Sequence, residues 1–415
     1  MVKYHTSLRA RSIEETLNIV RTYAKMYGIT RVTDTTRLDN IGIPVFASIR
    51  PNAAIGSLCV SAGKGVHPKE AEVGAYMEAL ELAICEPQLQ KIPIVKATYQ
   101  DVLDGPSRSD AVLDFCPRLN TSINLDQEVD CVVATDIATG KPFLVPAELA
   151  YIPYNVGPPV FGSNSNGLSG GNSLADASVH GLLEVIERDI TSFQHVNEQT
   201  ALVHPNSYPP SLQQIKQLVE EAGHELVIKY GFNEFNLPFF IASVIDGFKK
   251  EPLYINGGYG CHFDKEISIL RAATEALQSR LIFIHGGRDD LIKTYKKYVP
   301  YSFEQRATLF DELKAYLYDS SETINFQDIE EMDWKCTDLE SYLEMLVNFL
   351  KDLGFPLVLR LAYTQPDEPI QIVKIIVPKM EMFAKDTLKV GKRLRDYVSN
   401  IANDPIRRSV FNGTI

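Results

Sequence analysis

The 415-residue chain has one tryptophan, six cysteines and no surplus of positive charge. Its formal net charge of −12 argues against a broad surface for nucleic acid or for anionic membrane. That balance still leaves room for a small basic pocket. No two cysteines stand at C-x-x-C spacing, so neither a zinc ribbon nor a thioredoxin-type pair is supported. Scattered thiols fit a reducing cytosol, and each reads as a small buried hydrophobe rather than a nucleophile. No run approaches the ~18 uninterrupted apolar residues of a membrane span. The start, "MVKYHTSLRARSIEETL", has no apolar core of signal-peptide type. A cytoplasmic protein is expected. Nucleotide signatures are missing as well. There is no G-x-x-x-x-G-K-[ST], and "SAGKGV" lacks both the first glycine and the following Ser or Thr. Neither a Rossmann fingerprint nor a kinase set is present, and no short-period repeat is seen.

What is there is a mixed pattern. "SIEETLNIVRTYAKMYG" reads as a helix with a Ser12/Glu15 capping box and a stop at Gly28. "IPVFASIR" and "SLCVSAGKG" read as short strands, and a helix over 68–85 opens at Pro68. "CVVATDIATGKPFLVP" is a hairpin pattern turning at Thr139-Gly140. "FGSNSNGLSGGNS" reads as a loop leading into a helix capped by Ser173. Strands are expected in "LPFFIASVID", "EPLYINGGYGCH", "FPLVLRLAY" and "IQIVKIIVP". A long helix is expected in "DKEISILRAATEALQSRLIFIHG", and mainly helix over about 305–353. The fold class is α/β, mixed α+β, without a clean linker.

Three of these helices share an oddity. At about 100° per residue, Asp176, Glu184 and Glu187 project within roughly 80° of one another. Leu182, Leu183, Val185 and Ile186 fill much of the remaining surface. Gly74, Glu78 and Glu81 make a similar stripe among Ala75, Met77, Ala79, Leu80 and Leu82. Arg271, Glu275 and Gln278 make a third among Ile269, Leu270, Ala273, Leu277 and Leu281. Spacing alone leaves two readings open. The stripes are solvated outer faces, or they are buried and need cations, because an unpaired buried carboxylate is very costly. The apolar surroundings and the lack of lysine in the stripes favour burial. Carboxylates without His or Cys partners suit Mg²⁺, which usually comes with a phosphate ligand. The glycine-rich "NGLSGGNS" before a helix N-terminus suits contact with phosphate. Arg188 and Arg271 are then the candidates to neutralise phosphate oxygens.

Six blocks, in order, resemble the YcaO superfamily: "LDNIGIPVFASIRPN", "GKGVHPKEAEVGAYMEALE", "SNGLSGGNSLADASVHGLLEVIERD", "RAATEALQSRL", "GGRDD" and "IVPKME". The match spans about residues 9 to 381. The resemblance implies a mixed α/β fold with acidic helices clustered around a nucleotide site. It implies an ATP- and Mg²⁺-dependent enzyme that activates a backbone amide oxygen of a peptide or protein by phosphorylation. It implies that Glu78, Glu81, Glu184 and Glu187 hold Mg²⁺. Arg188, Arg271 and Glu275 then form the catalytic set at the phosphates. Arg9, Thr16, Ser169, Asn172 and Asp176 match nucleotide contacts, together with Glu184, Arg188, Arg271 and Glu275. A catalytic domain over 61–390 is implied, with 1–60 integral to it and a partly helical tail over 391–415. His67, His180 and His262 are read as structural.

The sequence departs from the family pattern in places. Gly74 stands where a serine is usual, Leu82 where an arginine is usual, and Lys379 where a glycine is usual. The end, "RRSVFNGTI", lacks the proline-rich tail of azoline formers. "MEALELA" with "GYGCH…RAATEALQSRL…GGRDDL" looks like the members that install thioamides with a TfuA-like, sulfur-delivering partner. An azoline-forming cyclodehydratase and a non-catalytic nucleotide-binding accessory protein are the alternatives. The resemblance also implies a homodimer, and it brings no nucleic-acid or membrane partner.

Overall fold

The computed structural model describes residues 1–415 apart from 90, 103–110, 289, 320–321, 333–335, 386 and 404–415. The first part of the chain runs β1 (Val2–Lys3), β2 (Leu8–Arg9), α1 (Ile13–Met26), β3 (Arg31–Asp34), β4 (Val45–Ile49), β5 (Val60–Lys64) and α2 (Pro68–Ile84). The middle adds β6 (Val95–Thr98), β7 (Glu128–Asp136), β8 (Pro142–Pro146), β9 (Leu168–Gly171), α3 (Leu174–Gln194), β10 (Thr200–Val203), α4 (Pro210–Glu221), β11 (Glu225–Gly231), β12 (Phe239–Ile245) and β13 (Ile255–Cys261). The last part holds α5 (Lys265–His285), α6 (Leu291–Tyr298), α7 (Phe303–Tyr318), β14 (Thr323–Ile324), α8 (Leu339–Asp352), β15 (Leu359–Ala362), β16 (Gln371–Ile376) and α9 (Lys392–Asn403). Among the described residues no helix is long and apolar enough to cross a membrane.

The main sheets have the strand orders β3-β4-β5, β6-β7-β15-β16-β9 with β8 on β7, and β13-β12-β11-β10-β14. Each carries one of the striped helices. α2 lies on β4 and β5, α3 on β9 and β16, and α5 on β12 and β13. Glycines let these layers close. A Cβ on Gly63 of β5 would fall 2.1 Å from Ala71 O of α2, and one on Gly260 of β13 would fall 2.1 Å from Ser268 O of α5. With no side chain in the way, backbone meets backbone and the helix faces are fixed against the strand ends. At Gly74 the nearest atom to an added Cβ is Gly63 Cα at 3.4 Å, so packing does not force the departure from serine.

Local signals hold where caps were legible. Ser12 and Glu15 form a reciprocal capping box at α1, and Gly28 takes the left-handed backbone just beyond its end (φ +72°). α2 opens at Pro68, and Gly140 makes the β7–β8 turn at φ +70°. The stretch expected as a loop, "FGSNSNGLSGGNS", instead contains β9, which is fully buried and pairs antiparallel with β16. Its residues LSGG carry no strand alternation, and tertiary packing overrides propensity there. The segment expected as mainly helix over 305–353 is split, with β14 between α7 and α8. α4 opens at Pro210 straight after Pro209, a pair that reads as a turn but suits the first turn of a helix. The tail forms α9, whereas "RRSVFNGTI" lies outside the described residues.

Lys379 keeps a left-handed backbone, φ +77°. Its N–H donates to Asp114 O at 2.8 Å and its carbonyl accepts from Arg393 at 3.1 Å, so the conformation is pinned. The glycine of the family pattern therefore has a steric reason. Lys379→Gly is expected to stabilise the protein by about 0.5–1 kcal/mol, the left-handed penalty less the entropy a glycine adds to the unfolded chain. Denaturant unfolding of the two proteins measures it.

Candidate active site

The stripes of α2, α3 and α5 meet at a cavity of about 480 Å³, closed on one side by the N-terminal segment from Tyr4 to Thr16. Glu78 and Glu81 enter it from α2, and Glu184 and Glu187 from α3. Arg9, Thr16, Asn172, Asp176, Arg188, Arg271 and Glu275 also line it. Of the residues named from sequence, Ser169 alone stands apart. It is fully buried and its hydroxyl donates to Ala177 O at 2.7 Å, which locks β9 to α3 behind the wall. Its hydroxyl is committed there, one layer behind the residues that line the cavity.

At the N-terminus of α3 the polar groups form one chain. Asp176 accepts from Arg9 Nη1 at 3.3 Å, from Ala10 N at 3.3 Å and from Asn172 N at 2.9 Å. Thr16 donates to Asn172 Oδ1 at 2.6 Å. A helix of about 1.5 Å rise per residue then carries Asp176, His180, Glu184 and Glu187 down one wall. His180 was read as structural, yet it lines the cavity four residues after Asp176 and four before Glu184. That i, i+4, i+8 spacing was the signal for it. Burial, then Arg9 and Arg271, push its pKa well down, so it is neutral at pH 7.

The acids sit uncomfortably together. Burial lifts Glu184 to about 7, with Arg188 pulling it down and Glu187 pushing it up. Burial, then Glu78 and Glu184, push Glu81 well above the carboxylate range. Glu78 is raised by burial against Arg288 and Lys64. Glu187 is raised by burial and by Glu275, against Arg271 and Arg188. Burial also works against ionised Glu275, but Lys64, Arg188 and Arg271 outweigh it and hold its pKa down. Lys64 and Arg288 were not singled out from sequence. Both stand in quoted blocks, "GKG" at the end of a strand and "GGRDD" after a helix, and both line the cavity.

This donor set fits Mg²⁺ with a polyphosphate. The basic groups act on the four glutamates only from a distance, so a cation would relieve their mutual repulsion. Among the described residues no three His, Cys, Asp or Glu side chains form a ready cage for an ion. Mg²⁺ does not need one. It takes one or two carboxylates and completes its shell with phosphate oxygens and water. Arg271 Nε is buried without a hydrogen-bond partner, as an anion site would leave it before its ligand arrives.

The model of the YcaO cyclodehydratase family, described as ATP- and Mg²⁺-binding, matches residues 62–381. The chain belongs to the YcaO family. An uncharacterised protein of Methanothermobacter thermautotrophicus is 30% identical over 396 residues, 92% of this chain and 98% of that one. A Rhizobium leguminosarum bv. trifolii protein, named as uncharacterised and lying in the tfuA 3′ region, is 27% identical over 391 residues, 91% of this chain and 89% of its own. The solved structure of YcaO from Methanopyrus kandleri bound with AMPPCP and Mg²⁺ superposes with a TM-score of 0.74 at 23% identity, covering 94% of this chain and 97% of that one. A heterocyclase in complex with substrate and cofactor gives a TM-score of 0.73 at 20% identity, covering 95% of this chain and 55% of its own. These two likenesses establish the shared fold.

Proposed function

We propose that the cavity binds Mg²⁺-ATP and activates a backbone amide oxygen of a peptide or protein, for thioamide formation with a TfuA-like sulfur-delivering partner. The observation that carries it is the meeting of Glu78, Glu81, Glu184 and Glu187 with Arg188 and Arg271 around one cavity. In this reading the four glutamates hold Mg²⁺. Arg9, Thr16, Asn172 and Asp176 hold the nucleotide at the N-terminus of α3. When bound, ATP supplies the phosphoryl group that turns the amide oxygen into a leaving group, and Mg²⁺ neutralises the phosphate charge. Arg188 makes no side-chain hydrogen bond or ion pair among the described residues, so it is free to meet a phosphate oxygen. Glu275 holds the guanidinium groups of Arg188 and Arg271 in place by charge. The amide oxygen is itself the nucleophile toward phosphorus, so this phosphorylation step needs no base to generate it.

Support for the thioamide branch comes from the relative named for its tfuA 3′ region and from the apolar Leu82, which is buried at the cavity edge. The wall contributed by Tyr4 to Thr16 supports treating residues 1–60 as integral to a catalytic unit over 61–390. The six unpaired cysteines support a cytoplasmic location. A homodimer is part of the proposal, and light scattering at working concentration tests it. The activity test supplies Mg²⁺-ATP, a candidate peptide, sulfide and the TfuA-like protein, and follows both phosphate release and product mass. Exchange of oxygen for sulfur raises the mass, whereas loss of water marks the azoline alternative. No phosphate release with any peptide, with or without the partner, favours the accessory-protein alternative.

A further inference from the structure

Three cations that line the cavity, Arg11, Lys64 and Arg288, have no role in the scheme above. Lys64, at the C-terminal end of β5, is the sole lysine among the described residues that line it. Its ammonium is ion-paired with Glu275 Oε2 of α5, so the pair bridges two walls. Its backbone is fixed. A Cβ on Gly63 would meet Ala71 O at 2.1 Å, and one on Gly65 would meet Glu70 Cβ at 2.5 Å, so the strand end lies tight against α2. Only the four-carbon stem can move. From this anchor its charge reaches Glu78 of the first acidic pair and Glu187 of the second, both of which line the same cavity.

Arg9 and Arg288 are differently committed. Arg9 is held by Asp176 and by Gly170 O, and Arg288 by Asp290. Glu275 has three positive groups acting on it: Lys64, Arg188 and Arg271. If Lys64 leaves, the two arginines still compensate the carboxylate. A flexible point charge on a rigid strand end, parked on an acid that can release it, is suited to follow a group whose charge position changes.

We propose that Lys64 leaves Glu275 to bind the terminal phosphate of the nucleotide. This rests on the Mg²⁺-ATP reading of the cavity. In the transfer, the bond between the γ-phosphorus and the β–γ bridging oxygen breaks, and the bond from the amide oxygen to that phosphorus forms. Lys64 exchanges no proton in this step; its ammonium group offsets the charge on the oxygens of the group in transit.

The test compares Mg²⁺-AMPPCP with Mg²⁺-ADP by titration calorimetry, because ADP lacks the group that Lys64 would hold. Wild-type binding of both nucleotides checks the underlying reading separately; binding of neither sinks that reading and this one together. Lys64→Ala and the stem-preserving Lys64→Met are each expected to weaken AMPPCP by about tenfold or more, ~1.4 kcal/mol, and ADP by less than about twofold. Lys64→Arg is expected to recover part of the AMPPCP loss. A strut that merely neutralises Glu275 would weaken both nucleotides alike, so a loss on AMPPCP less than about fivefold greater than the loss on ADP, in either variant, overturns the proposal.

Discussion

Glu187→Gln is expected to abolish Mg²⁺-ATP turnover, a loss of about 100-fold or more, while raising the melting temperature of the ligand-free protein. The two effects have one cause. Glu187 is buried at 3% exposure, and burial with repulsion from Glu275 raises its pKa. A buried carboxylate under that strain costs stability whenever it ionises. Glutamine removes the charge and keeps the shape. Its side-chain oxygen can still accept from Cys261 N, which donates to Glu187 Oε2 at 3.0 Å. The wall between α3 and β13 therefore survives. On the Mg²⁺ reading proposed above, what would be lost is one of four negative ligands, and the neutral amide is a much weaker partner for a hard cation. Calorimetry of the apo protein and phosphate-release kinetics read the two halves separately. Wild-type turnover in the variant would take Glu187 out of the metal site.

Ligand-free protein is expected to lose stability as pH rises through 7, and Mg²⁺ with nucleotide is expected to reverse the trend. The sign follows from Glu184. Its folded pKa is lifted to about 7 from an ordinary 4.5, so near neutral pH the folded state binds a proton that the unfolded chain has released. Stability from that proton is complete below about pH 4.5 and disappears as pH climbs through about 7. The shift sets the scale at up to about 3 kcal/mol. Glu78, Glu81 and Glu187 are raised as well, so they slope the same way. Bound Mg²⁺ favours the ionised carboxylates, and the stabilisation it brings should grow over the same window. Denaturant melts at about pH 5.5, 7 and 8.5, in EDTA or in Mg²⁺ with AMPPCP, measure both slopes. Glu184→Gln should flatten the EDTA series; an unchanged slope in that variant would assign the effect elsewhere.

Much of the site was readable before any coordinates. The stripes on α2, α3 and α5 showed because acids on helices apolar all round break the usual amphipathic rule. Caps were readable for the same local reason, as at Ser12 and Pro68. β9 was not, since LSGG has neither alternation nor β-branched residues. It is a strand because β16 offers it a ladder and because α2 and α3 need a thin partner there. A Cβ on Gly170 would fall 2.3 Å from Met77 Cε. That the Ser169 hydroxyl turns to Ala177 O rather than into the cavity was not readable either, because position in a motif does not say which way a strand residue points. Nothing in "SAGKGV" points to the ion pair of Lys64 with Glu275, because that pair joins a strand end to a helix some two hundred residues on.

The sequence by itself determined which residues had to be explained: charge of one sign on helices too greasy to be surfaces, and glycines where strand and helix must touch. Periodicity is a property of one helix, so it could say that Glu78 and Glu81 share a face and that Glu184 and Glu187 share another. It could not say that the two faces look at each other, because that depends on how separate sheets stack. Only the tertiary structure put four acids, Arg188, Arg271 and the Lys64–Glu275 pair around one hollow. Burial there turns ordinary carboxylates into groups that gain by binding a cation.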